Sequence, residues 1–275
     1  LQYSPPLAIA NTRFFIAGTI LIAIYCIKTQ KNRQWPKRTE LTKIAYFALF
    51  NSTLYAFFYV TAMKYTDAGI GSLSVSINPL MIVILSSLML GRSSNWVEWL
   101  CIFLGIAGIF IASYPLLQNS TTTFLGLTLI FASMLIVSYA SVYFAKIKLK
   151  MDNILFNGVQ LWCGALLLLP LTLSLGHYQQ MVLDVKLIAS ILWLSIAVSI
   201  IGLSCWFYLL KKDAVHASLW LFLCPLFGFF YAWLFMDEPI TSYTIAGTIL
   251  VIAALSISQK GKFQNRKLKA EKLES

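Results

Sequence analysis

Charged residues are scarce in this sequence: they make up 11% of its 275 residues, whereas hydrophobic residues make up 59%. A soluble globular domain carries about 25% charged residues, so this chain has too few charges to cover the surface of a soluble domain of its length. Apolar runs of about 18 or more residues, each enough to cross a hydrocarbon core about 30 Å thick, account for the deficit. The sequence therefore predicts a polytopic helical membrane protein, with nine such runs at about 7–27, 43–63, 68–90, 96–115, 123–146, 153–175, 185–209, 214–235 and 242–259.

The sequence also lacks clusters of residues that bind metals or carry covalent catalysis. The five cysteines stand singly within the apolar runs and form no CxxC pair, so we interpret them as small packing residues. The two histidines, His177 and His216, are far apart, and there is no DxxD or HxxxH motif. An integral membrane lipid-modifying enzyme, the alternative function considered, needs such a cluster near the interface. We therefore expect no enzyme activity, no metal and no cofactor.

The net charge of +11 is distributed unevenly along the chain. If the basic segment 28–43 is cytoplasmic, alternation across nine spans places all of the 21 Lys and Arg residues on that side except Arg13, Lys64 and Lys186. This is the positive-inside bias, and it predicts an inner-membrane protein with a cytoplasmic C-terminus. We expect the basic tail to meet anionic lipid headgroups and not nucleic acid.

An internal repeat appears when the chain is shifted by 146 residues. The shift places Asp67 on Asp213, Pro79 on Pro225 and Gly18 on Gly164. The counterpart of span 123–146 then falls before Leu1, so the repeat predicts a helix that this sequence lacks. Five helices per half force the two halves into opposite orientations, which is the signature of secondary transporters. The predicted fold is all-α, with nine visible transmembrane helices of a ten-helix (5+5) inverted repeat.

Three blocks carry a resemblance to a known family: "NTRFFIAG" (11–18), "FYVTAMKYTDAGIGSLSVSINPLMIVILSSLMLG" (58–91) and "LFMDEPITSYTIAGTILVIAA" (234–254). The chain resembles the EamA-type transporters of the drug/metabolite transporter superfamily. The resemblance implies two repeats, at 1–118 and 119–259, followed by the basic tail 260–275, with a cavity between the halves. The chain departs from the family in lacking the first helix and in carrying Arg92 where an acidic residue is usual in an "LGE"-like turn.

Polar and aromatic residues recur at helical spacing within several apolar runs. Pro79 and Pro225 each leave a backbone carbonyl without its helical hydrogen bond, and that carbonyl must find another partner or line a water-filled cavity. Polar side chains at membrane depth should face the protein interior. The alternative is that these residues only pack helices together and hydrogen-bond between them. The residues predicted to line a substrate cavity are Asn51, Tyr55, Tyr59, Ser72, Ser76, Asn78, Pro79, Gln160, Ser199, Trp206 and Pro225.

Arg13 is the one fixed charge clearly inside a span. An ionisable residue within the membrane suggests a functional site, although Arg13 could also snorkel outward or pair with carbonyls of the missing helix. No Asp or Glu lies deep in a visible span, so the sequence gives no support to direct proton coupling.

These features predict a secondary transporter that moves a small organic metabolite, amino acid-like or drug-like, by alternating access. We expect an exporter that works as a monomer or homodimer, with the solute and membrane lipid as its partners.

Overall fold

The computed structural model describes residues 5–29, 34–115, 122–175, 178–179, 181, 184–236 and 240–274. His177 lies outside these ranges, and so do Leu1 and, within the block 234–254, Asp237 and Glu238. A helix lies at each predicted apolar run. In chain order these are α1 (Pro6–Lys28), α2 (Arg38–Ala62), α3 (68–90), α4 (Trp96–Ala112), α5 (Phe124–Ile147), α6 (Asn153–Ser174), α7 (Val185–Lys212), α8 (214–236) and α9 (Ser242–Glu274).

Six of the described helices are long and apolar enough to cross a membrane: α1, α2, α5, α6, α7 and the Ala214–Tyr231 part of α8. Three shorter apolar helices accompany them, namely Val75–Leu90 within α3, α4, and Ser242–Ser258 within α9. The multi-pass helical fold is thus confirmed, while the number of spans and their inverted arrangement stay predictions. The last helix continues along the backbone into the basic tail.

Large apolar side chains cover much of the outer surface of these helices. Leu88 is 76% exposed, Phe103 is 73% exposed and Phe124 is 82% exposed. A monomeric soluble protein rarely exposes contiguous apolar patches of this kind, whereas a bilayer solvates them. Trp96, 77% exposed at the start of α4, has the amphipathic ring that membrane interfaces favour.

Two helices carry a wide turn of π-helix in the middle of their spans. The π turns are Leu49–Leu54 in α2 and Leu194–Gly202 in α7. A shift of 146 residues moves the first onto positions 195–200, inside the second. Such turns hold one residue more than an α-helical turn and often occur at functional sites.

A tight turn of 3-10 helix precedes each of the paired prolines. It covers Val75–Ile77 ahead of Pro79 and Trp220–Phe222 ahead of Pro225. Proline has no N–H to donate to the carbonyl four residues earlier, so the helical ladder is interrupted at Val75 and Leu221. Both kinds of backbone irregularity therefore recur at corresponding positions of the sequence repeat.

The helices group into two compact units. Unit 1 comprises 1–62 and 139–213, and unit 2 comprises 63–138 and 214–275. Unit 1 thus holds α1, α2, α6, α7 and the end of α5, and unit 2 holds α3, α4, α8, α9 and the start of α5. Each unit takes helices from both halves of the sequence. The predicted repeats are continuous segments of the sequence, whereas each compact unit combines segments from both repeats.

Within each unit, helices related by the repeat pack against each other through glycine. In unit 1, Gly18 of α1 faces the Gly158 carbonyl and the Trp162 side chain of α6. In unit 2, Gly108 of α4 faces the Gly247 carbonyl of α9. Small residues allow such close approach between membrane helices. A closely packed pair of corresponding helices therefore lies in each unit, α1 with α6 in unit 1 and α4 with α9 in unit 2.

Candidate functional site

A row of aromatic side chains follows α2 in unit 1. We define the aromatic face as Tyr46, Phe50, Tyr55 and Tyr59. The rings of Tyr46 and Phe50 lie 4.9 Å apart, and those of Tyr55 and Tyr59 stack at 5.6 Å with an interplanar angle of 28°. At a rise of 1.5 Å per residue the row extends for about 20 Å, which is roughly two thirds of the hydrocarbon thickness.

The π turn aligns the two halves of the aromatic face. The spacing from Phe50 to Tyr55 is five residues, which in an α-helix turns the second side chain well away from the first. Here the backbone N–H of Tyr55 donates to the carbonyl of Phe50, so a single wide turn separates the two residues. The wide turn therefore brings Tyr55 closer to the side of the helix that carries Phe50 than a regular α-helical turn would.

Two further tyrosines from the end of α5 widen the aromatic face at its first end. The hydroxyls of Tyr46 and Tyr139 lie 3.0 Å apart and share a hydrogen bond. Phe50 lies 5.0 Å from the Tyr139 ring, and Tyr46 lies 5.0 Å from the Tyr143 ring. Tyr46 is exposed, and Phe50, Tyr139 and Tyr143 are half-buried, so part of each side chain is accessible.

Arg13 of α1 lies beside the second end of the aromatic face. Its guanidinium is near enough to Tyr55 for an electrostatic interaction and lies 5.0 Å from the Phe14 ring centroid. The Nε atom is buried and, among the described residues, has no hydrogen-bond partner. The Ser195 hydroxyl donates to the Arg13 backbone carbonyl over 3.4 Å, which helps to fix the position of this turn of α1.

The predicted polar residues of unit 1 form a buried hydrogen-bond network. Ser52 and Asn51 of α2 both donate to Gln160 Oε1 of α6, over 3.0 Å and 3.5 Å. Gln160 Nε2 in turn donates to Asn157 Oδ1 over 3.1 Å. All four side chains are buried, so their polar groups are satisfied by each other.

The network continues from α6 to α7. Asn157 Nδ2 donates to the Ser199 backbone carbonyl and to the Ser204 hydroxyl, each over 2.9 Å. The Ser199 hydroxyl itself is buried without a partner among the described residues. Trp206, seven residues after Ser199 in α7, is half-buried. The structure thus brings Asn51, Gln160 and Ser199 together, away from the half-buried tyrosines.

The remaining predicted residues lie in unit 2 around the 3-10 turns. Pro79 and Pro225 are buried, and Asn78 Oδ1 accepts a hydrogen bond from the Ser138 hydroxyl over 3.1 Å. The hydroxyl of Ser76 is buried and has no partner among the described residues. Ser72 belongs to the first part of α3, but its side chain lies outside the described part of the structure.

Unit 2 also contains an apolar cavity of about 510 Å³, which α3, α4 and α5 line. Hydroxyls of Ser74, Ser113 and Thr128 reach its wall, but each donates to a carbonyl of its own helix. The cavity therefore offers mainly hydrocarbon contacts. Its volume is within the range typical of small-molecule sites.

An ion-pair cluster closes one end of unit 2. Arg92 Nη2 lies 2.6 Å from the buried carboxylate of Glu98, and His216 Nδ1 lies 3.8 Å from the same oxygen. Asn95 caps α4 by accepting from the backbone N–H groups of Val97 and Glu98. A buried carboxylate requires such partners, so Arg92 has a structural task at this turn.

Several residues of the site were not predicted from the sequence. Tyr46, Phe50, Tyr139 and Tyr143 were missed, although the four-residue spacing within each pair was a usable signal. Glu98 was missed because its partners, Arg92 and His216, are distant in sequence or precede the helix. Among the described residues there is no group of three or more His, Cys, Asp or Glu that could hold a metal ion.

The sequence profile of the EamA-like transporter family matches residues 1–114 and 124–258. An uncharacterized transporter of Bacillus subtilis is 27% identical over 269 residues, covering 96% of this chain and 86% of that protein. A protein of Salmonella typhimurium named as a probable amino-acid metabolite efflux pump is 22% identical over 270 residues, and the alignment covers 95% of this chain and 88% of that protein.

A solved protein crystal structure has the same fold. It superposes with a TM-score of 0.78 at 18% identity, covering 93% of this chain and 89% of the other. At this level of identity the likeness concerns the fold alone.

Proposed function

This chain belongs to the EamA-like transporter family, and from that membership we propose that it is a secondary transporter of a small organic metabolite. The solute crosses a bacterial inner membrane by alternating access, in which the protein exposes its binding site first to one side and then to the other. The relatives are named as transporters, which fits a protein that is not an enzyme.

The aromatic face of α2 is the observation that supports this function best. Its tyrosines combine a π face with a hydroxyl, so they can stack on an organic solute and also hydrogen-bond to its polar groups. They are half-buried or exposed, in contrast to the mutually bonded amides of the same unit. We assign solute contact to the aromatic face and helix pairing to Asn51, Gln160 and Asn157.

The paired prolines fit a role in conformational change. A helix interrupted by proline lacks one hydrogen bond of its ladder and bends at that point more easily. Because the interruption occurs once in each sequence half, we propose that α3 and α8 flex at Pro79 and Pro225 during the transport cycle.

We propose export of an amino acid-like or drug-like solute, with the C-terminus in the cytoplasm. The direction is supported by the name of the Salmonella typhimurium relative, an amino-acid metabolite efflux pump. The orientation is supported by the distribution of Lys and Arg, which is the positive-inside pattern.

The test is uptake by the full-length protein in liposomes, screened with labelled amino acids, nucleosides and organic cations. For a transported solute, Tyr59→Ala should raise the half-saturation concentration about three- to tenfold, the worth of one aromatic contact. Tyr65→Ala removes an exposed tyrosine outside the aromatic face and serves as the matched control.

Gln160→Ala separates solute contact from helix pairing. It removes the acceptor of Asn51 and Ser52 and the donor to Asn157 Oδ1, so the free energy of unfolding should fall by about 1–3 kcal/mol with little change in half-saturation concentration. If Tyr59→Ala behaved like Tyr65→Ala, the aromatic face would not contact the solute. A lipid-modifying activity without solute flux would contradict the transporter itself.

A further inference from the structure

Arg13 carries a positive charge within a membrane span, and the described residues offer it no counter-ion. It lies seven residues after Pro6, the first residue of α1, and the residues one turn away on either side, Ile9, Ala10, Ile16 and Ala17, are apolar. Among the described residues no Asp or Glu pairs with it, and the buried Nε has no hydrogen-bond partner. A charge at this depth is costly unless it meets a partner or reaches water.

The missing partner has a definite chemistry. A guanidinium is a planar fork of donors whose geometry matches a carboxylate through two parallel hydrogen bonds. A carboxylate brings one negative charge, which the single charge of Arg13 neutralises. A phosphate monoester brings about −1.5 to −2 at neutral pH and would leave an excess of charge in the apolar surroundings.

The surroundings of Arg13 indicate what the carboxylate is attached to. Tyr55 lies within electrostatic range of the guanidinium, and the Tyr59 ring stacks on Tyr55 at 5.6 Å. Both tyrosines are half-buried, so part of each side chain is accessible near the cation. A ligand with a carboxylate at Arg13 would therefore lay an aromatic or apolar body along these two rings.

We propose that Arg13 binds the carboxylate of the transported solute and that Tyr55 and Tyr59 receive its apolar body. The inference rests on the proposed transport function and specifies its substrate class: small carboxylates, including zwitterions, with an aromatic or aliphatic side chain. Arg13 is the specificity-determining residue, since it separates such solutes from organic cations of the same shape.

The test compares pairs of probes that share a body and differ in the charged group. The pairs are 3-phenylpropanoate with phenethylamine, and hexanoate with hexylamine. Thermal unfolding of the purified full-length protein is followed while each probe is titrated. We expect at least one carboxylate to raise the unfolding temperature with saturation and its matched amine to have no effect, since only a ligand that binds the folded state stabilises it.

Variants at Arg13 connect the preference to this residue. Arg13→Gln should weaken carboxylate binding about ten- to hundredfold, the range for a hydrogen bond to a charged group. Arg13→Lys keeps the charge without the planar fork, so the preference should survive with reduced affinity. Lys186→Gln removes an exposed charge at the start of α7 and should change nothing.

The outcomes distinguish this inference from the function it rests on. Amines that stabilise the wild-type protein as well as carboxylates, no stabilisation by any carboxylate probe, or an unchanged preference in Arg13→Gln would each overturn the role of Arg13. If Arg13→Gln does not fold, a reduced carboxylate affinity in Arg13→Lys with the preference retained supports the role of Arg13, and an unaltered affinity or a complete loss of the preference in Arg13→Lys overturns it. The transport function would stand in these cases, because it is tested separately, by solute flux in liposomes.

Discussion

Gly247 shows how closely two helices approach in unit 2. A Cβ at this position of α9 would overlap the Gly108 carbonyl oxygen of α4 and lie 2.7 Å from the Ala112 Cβ. Real Cβ atoms do not approach neighbours so closely, so the backbones meet here because both residues are glycine. Unlike a turn glycine, Gly247 is required for the space it leaves free and not for its backbone angles.

We therefore expect Gly247→Ala to destabilise the protein by about 1–3 kcal/mol, the usual cost of overpacking. Gly228 in α8 is the matched control, since a Cβ there meets no atom within 4 Å. Gly228→Ala should leave the unfolding temperature in detergent unchanged or slightly higher, because alanine favours helix. Equal effects of the two substitutions would show that α4 and α9 do not meet at Gly247.

The sequence located part of the site at the residue scale. Arg13, Tyr55 and Tyr59 could be found because each breaks the apolar pattern of its own span. The pairing of Tyr46 with Tyr139 could not be found, because it joins residues 93 positions apart. The sequence likewise left open whether Asn51 lines a cavity or bonds to another helix. The bond to Gln160 favours helix pairing.

At the scale of elements, hydropathy predicted the positions of the helices but not the 3-10 and π turns within them. The apolar runs predict α1 to α8 to within about five residues at each end, since each run must satisfy its backbone internally, whereas α9 continues past its run at 242–259 to Glu274. The 3-10 turns were signalled by Pro79 and Pro225. The π turns had no such signal, because the bonding of Tyr55 to Phe50 depends on how α2 packs against its neighbours.

The prolines provide a prediction about helix bending. Pro79→Ala and Pro225→Ala restore an N–H donor to the interrupted turns, so α3 and α8 should become stiffer. We expect the maximal transport rate to fall several-fold while the unfolding temperature holds or rises. The maximal transport rate is measured in liposomes and the unfolding temperature in detergent, on the same protein preparation.

Pro170, inside α6 of unit 1, is the matched control for these substitutions. It has no proline counterpart under the 146-residue shift, since position 24 is Ile24. Pro170→Ala should leave the maximal rate near that of the wild type. If all three variants lost rate equally, the effect would come from general packing and not from bending at the paired turns.

At the scale of the whole molecule, the arrangement of charge determines orientation. The segment 28–43 and the tail 260–275 carry most of the Lys and Arg residues, and retention of such segments in the cytoplasm sets membrane topology. A fluorescent protein fused to the C-terminus should therefore fold and fluoresce, whereas alkaline phosphatase at the same site should be inactive. The reverse result would place the C-terminus outside and invert the proposed orientation.

The central claim is that this protein carries a solute by alternating access. Counterflow tests it most directly: liposomes containing the full-length protein are loaded with an excess of an unlabelled solute found in the screen, and entry of the labelled solute is followed. A carrier returns faster when loaded, so the account predicts saturable entry with a transient accumulation of label above its outside concentration. Entry that rises linearly with concentration, without overshoot, would indicate a channel and contradict the account.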